Sequence, residues 1–414
     1  MEKNKLLKKT LIVFFCILTL STQFLRNEIA AQDKVDDLTA SIDSIVGSIG
    51  CSISVQIVSA DKYDLLYEYN PGLKMIPASI TKLVTAATAI DVLGINFDFK
   101  TVAYTDDSDI NDGVINGNLY LKGYGDPDLS SFDIVYLAKL VGAKNITEVT
   151  GNIIYDESYL DDQHFGLANY YQGDTHSGNW PYVSAINFNK NPGNTDPASS
   201  AGSLFMQSLL SQNIKIDGIV IAGVTPTASK QIALTSHSLF DVLARMNKES
   251  DNHSALTVFK VIGAEYSSPP GTLTKGEDAV IDFLTSMGNP RNIFEIVEGS
   301  GLSRYNAVNS DLYVRLLKYM YDDVKSFDVF YNSLSIAGKD GTLRNRMIGT
   351  EAEKNVHAKT GTLNSVSALA GYAVSRDKEL IIFYMDMNGF GGSPNGVKYM
   401  QDQICELLCQ FSRK

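Results

Sequence analysis

Histidine is scarce in this chain of 414 residues, and the five present (His164, His176, His237, His253 and His357) lie apart, with no His-Glu-x-x-His spacing. That excludes the common zinc-hydrolase pattern, in which two imidazoles meet on one helix face. No metal or other cofactor is expected. Positive charge is also short: 35 Lys and Arg against 47 Asp and Glu leave a formal net charge of -12. Nucleic-acid binding needs a basic stripe to offset the phosphate field, so nucleic acid is excluded as a partner. Low-complexity runs and repeats are missing too, and 44% hydrophobic with 20% charged residues is the balance of an ordinary folded protein. The length leaves room for two domains.

Cysteine is rare as well. Of the four, Cys16 lies in an N-terminal apolar run, leaving Cys51, Cys405 and Cys409. An odd number leaves at least one thiol without an intramolecular partner. Cys405 and Cys409 stand i and i+4 on a predicted C-terminal helix, poorly placed to bridge each other. They read as small buried hydrophobes, with a Cys51 bridge to that helix as the alternative. Long apolar runs are limited to Leu11 to Leu20, preceded by Lys3, Lys5, Lys8 and Lys9 and followed by Ile29-Ala30-Ala31-Gln32. That run is too short to span a bilayer comfortably. It reads as a secretory signal over residues 1–31, cut near Ala30 or Ala31, with an uncleaved anchor as the alternative. The mature protein is expected to be exported, to the periplasm or the extracytoplasmic face of the envelope. No stable transmembrane anchor is expected after cleavage.

What is present begins with "MIPASITKLVTAAT", residues 75–88. Lys82 falls on the first turn of a predicted helix, the wrong end of the helix dipole for a cation. Its neighbours Leu83, Val84, Ala86, Ala87 and Ile90 wrap nearly all round, the pattern of a buried helix. Ser79, three residues earlier, shares a face with it. A neutral Lys82 there can take the hydroxyl proton of Ser79. "SADK" (59–62) and "SRDK" (375–378) have the same spacing but stand in polar turns.

Two further patterns follow in order: Ser250-Asp251-Asn252 after a helical segment, and Lys359-Thr360-Gly361, the only such triplet in the chain. Ser-x-x-Lys, Ser-Asp-Asn and Lys-Thr-Gly in this order form the signature of penicillin-recognising serine enzymes. Gly361 would let a substrate backbone approach its strand closely. Lys359 would hold a like charge near Lys82, and burial would add to the same effect, both lowering the pKa of Lys82.

Around the motifs, residues 51–70 alternate as a β-hairpin, short strands such as 113–123 and 149–156 fill the middle, and 367–374 and 380–388 form strands near the end. One antiparallel sheet built from the two termini and flanked by helices is expected, with a module inserted between the first two motifs.

Beyond the motifs, "YLKGYGDPDL" (120–129), "GNIIYDESYLD" (151–161), "SAINFNKNPG" (184–193), "GSGLSRYNAVNS" (299–310) and "AGKDGTLRNRM" (337–347) resemble the class C low-molecular-mass penicillin-binding proteins. These are D-alanyl-D-alanine carboxypeptidases and endopeptidases. The resemblance implies an α+β, penicillin-binding transpeptidase-like (serine β-lactamase-like) domain over 32–95 and 241–414. It implies an inserted α+β domain over 96–240. Peptidoglycan stem peptides are the implied substrates and β-lactams the implied covalent inhibitors. Ser79 is then the acylated nucleophile and Lys82 its base. Ser250 relays protons, Asn252 holds the acyl-side amide, and Lys359 with Thr360 binds the terminal carboxylate. The N–H groups of Ser79 and Thr362 form the oxyanion hole. Asp156 matches an aspartate of the inserted domain that contacts the substrate's side-chain amine.

The chain departs from the family in places. Only "KNPGNTDPASS" follows "SAINFN", so a third small domain of relatives is expected to be reduced or absent. Glu298 stands where Asp is usual, and Glu249 where Lys is frequent. Two other functions compete: a β-lactamase, and a non-catalytic penicillin-sensing or wall-binding protein. A class A β-lactamase needs Glu-x-x-Leu-Asn, and the sole Leu-Asn, Leu363-Asn364, has Thr360 in the Glu position.

Overall fold

The computed structural model describes residues 31–48, 50–166, 170–191 and 196–414. The predicted signal therefore lies almost wholly outside the described residues. The architecture is α+β. Its main sheet has six antiparallel strands in the order Ser335–Ile336, Val356–Leu363, Val366–Val374, Leu380–Asn388, Ser52–Ser59 and Leu65–Tyr69. The two ends of the chain meet where Ser52–Ser59 pairs in register with Leu380–Asn388.

The strand Val366–Val374 is buried along nearly its whole length. Both faces of the sheet are covered, so its sequence is continuously apolar rather than alternating. On one face lie the helix over 31–46 and the C-terminal helix Asn395–Gln410, closing a core that includes Leu38, Ile42, Ile404 and Leu408. Cys405 and Cys409 are buried there, and Cys51, Cys405 and Cys409 are all free thiols, so the bridge from Cys51 does not form. The other face carries the helices between the motifs. At their centre is Thr81–Leu93, whose first ten residues are all buried. Burial of this kind, not amphipathicity, holds that helix.

Residues between Asp98 and Ser238 build a second sheet, ordered Lys230–Ser238, Asp98–Thr105, Leu119–Gly123, Ile153–Asp156, Val220–Ala222. The first two pairings are antiparallel and the last two parallel. The helices Ser131–Gly142 and Pro197–Leu210 pack with it around a separate core. Two expected strands each divide. Residues 113–123 become Val114–Ile115 and Leu119–Gly123, and 149–156 become Glu148–Val149 and Ile153–Asp156. The short pieces pair with Lys215–Ile216 in a small parallel sheet. At the first break Gly117 packs against Asp106, whose Oδ1 would lie 2.2 Å from an added Cβ. The chain turns tightly there, with Asp106 accepting from the Asn118 N–H at 2.7 Å.

Charged pairs tie this region to the main one. Lys260 donates to Asp161 at 2.6 Å, Arg245 meets Asp128 at 3.2 Å, and Lys190 pairs with Asp251. No helix among the described residues is long and apolar enough to cross a membrane.

Candidate active site

A short 3-10 turn, Ala78–Ile80, runs straight into the helix Thr81–Leu93 and presents Ser79 at its head, partly open to solvent. Ala78 holds the left-handed conformation at φ 48°, a strained state for a residue with a Cβ. Backbone packs directly on this turn. A Cβ on Gly301 would lie 2.0 Å from the Ala78 carbonyl oxygen, and one on Gly361 would lie 2.5 Å from that of Pro77. Gly361 thus brings its strand against the turn that carries Ser79. It is the Pro77 carbonyl that leaves no room for a Cβ at this position.

Lys82 is fully buried and spends its hydrogen bonds on three acceptors. These are the Ser79 Oγ at 3.1 Å, the Asn252 Oδ1 at 2.7 Å and the Ser300 carbonyl at 2.6 Å. Burial lowers its pKa to about 8, opposed by the charges of Glu298 and Asp251. A neutral amine has two N–H donors and one lone pair. With Asn252 and Ser300 accepting, the lone pair is left for the Ser79 hydroxyl. The expected repulsion between the two lysines acts on the other partner. Lys359 is held well below the usual lysine value by burial and then by the charge of Lys82. At Lys82 burial is the largest cause of the lowering, and two carboxylates offset part of it.

Lys359 lies fully buried on the strand Val356–Leu363 and donates to the Ser250 Oγ and the Thr360 carbonyl, both at 2.8 Å. Ser250 adopts φ 56°, which turns the chain sharply before the helix Asn252–Tyr266. Asp251 caps that helix by accepting from the His253 N–H at 3.0 Å. Its other oxygen takes Lys190 and the Ser254 hydroxyl. Burial would raise the Asp251 pKa, but Lys190 and the other donors outweigh it and hold it below the usual carboxylate range.

These groups open onto a cavity of about 350 Å³ lined by Ser79, Ser250, Thr360 and Thr362. Thr342, which shares a 2.9 Å hydroxyl bond with Thr360, continues the lining, followed by Arg346 and Lys398.

Asp156 is not among them. Its carboxylate is fully buried, pairs with Lys122 at 3.1 Å and accepts from the N–H groups of Ser158 and Thr225 at 2.9 and 2.8 Å. Burial alone would raise its pKa, and those donors bring it below the ordinary value instead. Fully buried and paired with Lys122, Asp156 is not among the residues that line the cavity. Another aspartate of the same region does reach the motif strand. Asp174 accepts from the Arg304 Nε at 2.7 Å and from the Asn364 N–H at 2.9 Å, just past Lys-Thr-Gly. Arg304 also donates to the Asn364 carbonyl at 2.7 Å.

The sequence marked Glu298 only as a departure from the family and gave it no role. It is buried and accepts from the N–H groups of Ser300, Gly301 and Ser303, at 2.6, 2.8 and 3.1 Å. It also takes the Asn306 amide at 2.9 Å. These bonds fold the loop that aims the Ser300 carbonyl at Lys82. The run Glu-Gly-Ser-Gly, acid then small residues, was the available signal. Among the described residues no cluster of His, Cys, Asp and Glu is arranged to hold a metal ion.

The model of the D-Ala-D-Ala carboxypeptidase 3 (S13) family matches residues 31–195 and 193–410. A D-alanyl-D-alanine carboxypeptidase from an Actinomadura species is 26% identical over 471 residues, covering 92% of this chain and 86% of the relative. D-alanyl-D-alanine carboxypeptidase DacB of Haemophilus influenzae is 26% identical over 437 residues, covering 87% and 89%. Among solved structures, penicillin binding protein 4 of Haemophilus influenzae superposes with a TM-score of 0.76 at 23% identity, over 91% of this chain and 99% of that one. A predatory peptidoglycan endopeptidase of Bdellovibrio bacteriovorus superposes at 0.59 with 17% identity, over 88% and 94%. At these identities the structural likeness establishes the shared fold.

Proposed function

The chain belongs to the D-Ala-D-Ala carboxypeptidase 3 (S13) family, and from that premise we propose that it is a serine DD-peptidase of peptidoglycan stem peptides. It hydrolyses the terminal D-Ala-D-Ala bond and D-alanyl cross-links, and takes β-lactams as covalent inhibitors. The observation that carries this reading is the three-way hold on Lys82, whose amine is supported by Asn252 and Ser300 and faces the Ser79 hydroxyl. With a pKa of about 8, roughly a tenth of Lys82 is neutral at pH 7, enough to serve as a base.

In the acylation step the Ser79 Oγ gives its proton to the Lys82 Nζ and bonds to the scissile carbonyl carbon. The carbonyl oxygen becomes an oxyanion, which the N–H groups of Ser79 and Thr362 stabilise. As the C–N bond breaks, the leaving amine receives a proton by way of Ser250, whose hydroxyl is held by Lys359. Water then hydrolyses the ester and Ser79 regains its proton. Asn252 orients the acyl-side amide, and Thr360 with Lys359 takes the carboxylate beside the scissile bond. Export to the envelope and an inserted module over 96–240 belong to the same reading.

A class A β-lactamase would need a carboxylate free to activate water at the ester. Glu298, whose charge acts on Lys82, already accepts from Ser300, Gly301, Ser303 and Asn306, and this argues against that role. The test is mass spectrometry after incubation with benzylpenicillin, together with an assay for free D-alanine from a stem pentapeptide. One slowly released adduct on Ser79 and steady D-alanine release are expected. Rapid penicillin turnover without D-alanine release would overturn the peptidase reading.

A further inference from the structure

Four cations bear on the catalytic cavity, and three are accounted for. Lys82 and Lys359 bond the motif residues. Arg346 meets Asp402 at 2.7 Å and donates to the Gln401 Oε1 and the Lys398 carbonyl at 3.1 and 2.9 Å. The fourth, Lys398, lies on the first turn of the helix Asn395–Gln410 and lines the same 350 Å³ cavity as Ser79 and Thr360. Among the described residues its ammonium has neither a hydrogen bond nor an ion-pair partner. It is half-buried, and its pKa is lowered by that burial and then by Arg346, with Asp402 opposing. A cation held beside another cation and partly stripped of water is destabilised until an anion arrives. The carboxylate adjoining the scissile bond already has Thr360 and Lys359. What Lys398 lacks is a second acid.

We propose that Lys398, braced by Arg346, forms an anion subsite for the leaving half of the substrate. The protein then favours bonds whose leaving D-residue carries a second carboxylate over those releasing plain D-alanine. This rests on the DD-peptidase reading and names the leaving group that its site selects. Beyond Thr360 the cavity continues to Thr342 and Arg346.

The experiment compares two peptides with the same acyl half, one ending in D-Ala-D-Ala and one in D-Ala-D-2-aminoadipate. The released amino acid is quantified with the purified protein. The quantity read is the ratio of kcat/KM for the diacid peptide to that for the alanine peptide. It should exceed one in the wild type, and Lys398→Gln should lower it about fivefold, mainly through KM, as expected for one half-exposed ion pair. Lys398→Arg should keep it within about twofold, and added salt should lower it in the wild type but not in Lys398→Gln. An unchanged ratio in Lys398→Gln overturns the subsite while leaving the peptidase reading in place. An equal fall in Lys398→Arg overturns charge recognition. Release of neither amino acid by the wild type overturns the peptidase reading and this one with it.

Discussion

Lys82 stands on the first turn of a buried helix, where the dipole and the apolar surroundings both oppose a cation. The structure lets the amine stay neutral and still keep its hydrogen bonds. Because burial lowers its pKa to about 8, the base fraction grows as pH rises toward that value. Acylation by benzylpenicillin should therefore speed up from about pH 6, then level off above about pH 8. A rate that stays flat over that range would assign the base elsewhere. Lys82→Arg should cost a hundredfold or more in acylation with the fold retained, since a guanidinium stays protonated. Asp156→Ala strands Lys122 and should lower stability, by about 3 kcal/mol, in a denaturant titration.

Among the elements, the strand Val356–Leu363 and the turn Ala78–Ile80 decide whether the residues can act together. Gly361 and Gly301 let backbone lie on backbone there, and any Cβ would push the strand or the loop off the turn that carries Ser79. Gly361→Ala should cost about 2 kcal/mol, the usual penalty of overpacking. Its effect on penicillin acylation should be larger, tenfold or more, because Lys359 and Ser79 move apart. Stopped-flow acylation measured beside thermal unfolding checks this. Equal and small losses in both would mean the turn has room to spare.

For the whole molecule, the region over 98–238 meets the main sheet region through charged pairs, and one of them reaches a motif. Lys190 holds Asp251, the middle residue of Ser-Asp-Asn. Asp251 and Asp156 both have folded pKa values below the ordinary carboxylate range. A depressed carboxylate contributes stability above its unfolded pKa, and that contribution is lost as pH falls through the folded value. Stability should therefore hold from neutral pH down to about 5 and decline below about 4. In Lys190→Met the Asp251 pKa returns upward, so the variant is less stable at pH 7 but loses less on acidification. Thermal unfolding across pH for both proteins tests this. Parallel curves would detach Lys190 from the acid response.

The sequence by itself determined the family, the three motifs and the helix that carries Ser79 and Lys82. Each of these depends on neighbours in the chain: an i, i+3 spacing, an apolar run, a triplet on a strand. The main sheet's terminal strands were equally legible, 51–70 from its alternation and 367–374 and 380–388 from their apolar runs. Tertiary structure alone decided how Lys82 is held, since two of its three acceptors lie 170 and 218 residues away. It decided that Asp156 is spent on Lys122 while Asp174 reaches the motif strand, and that Glu298 folds the loop behind the lysine. It also decided that the close approach at Gly361 is made by the Pro77 carbonyl. The reason is common to all of these. A side chain's partners depend on which surfaces meet when the two ends of the chain share one sheet, and no local pattern of residue types records that meeting.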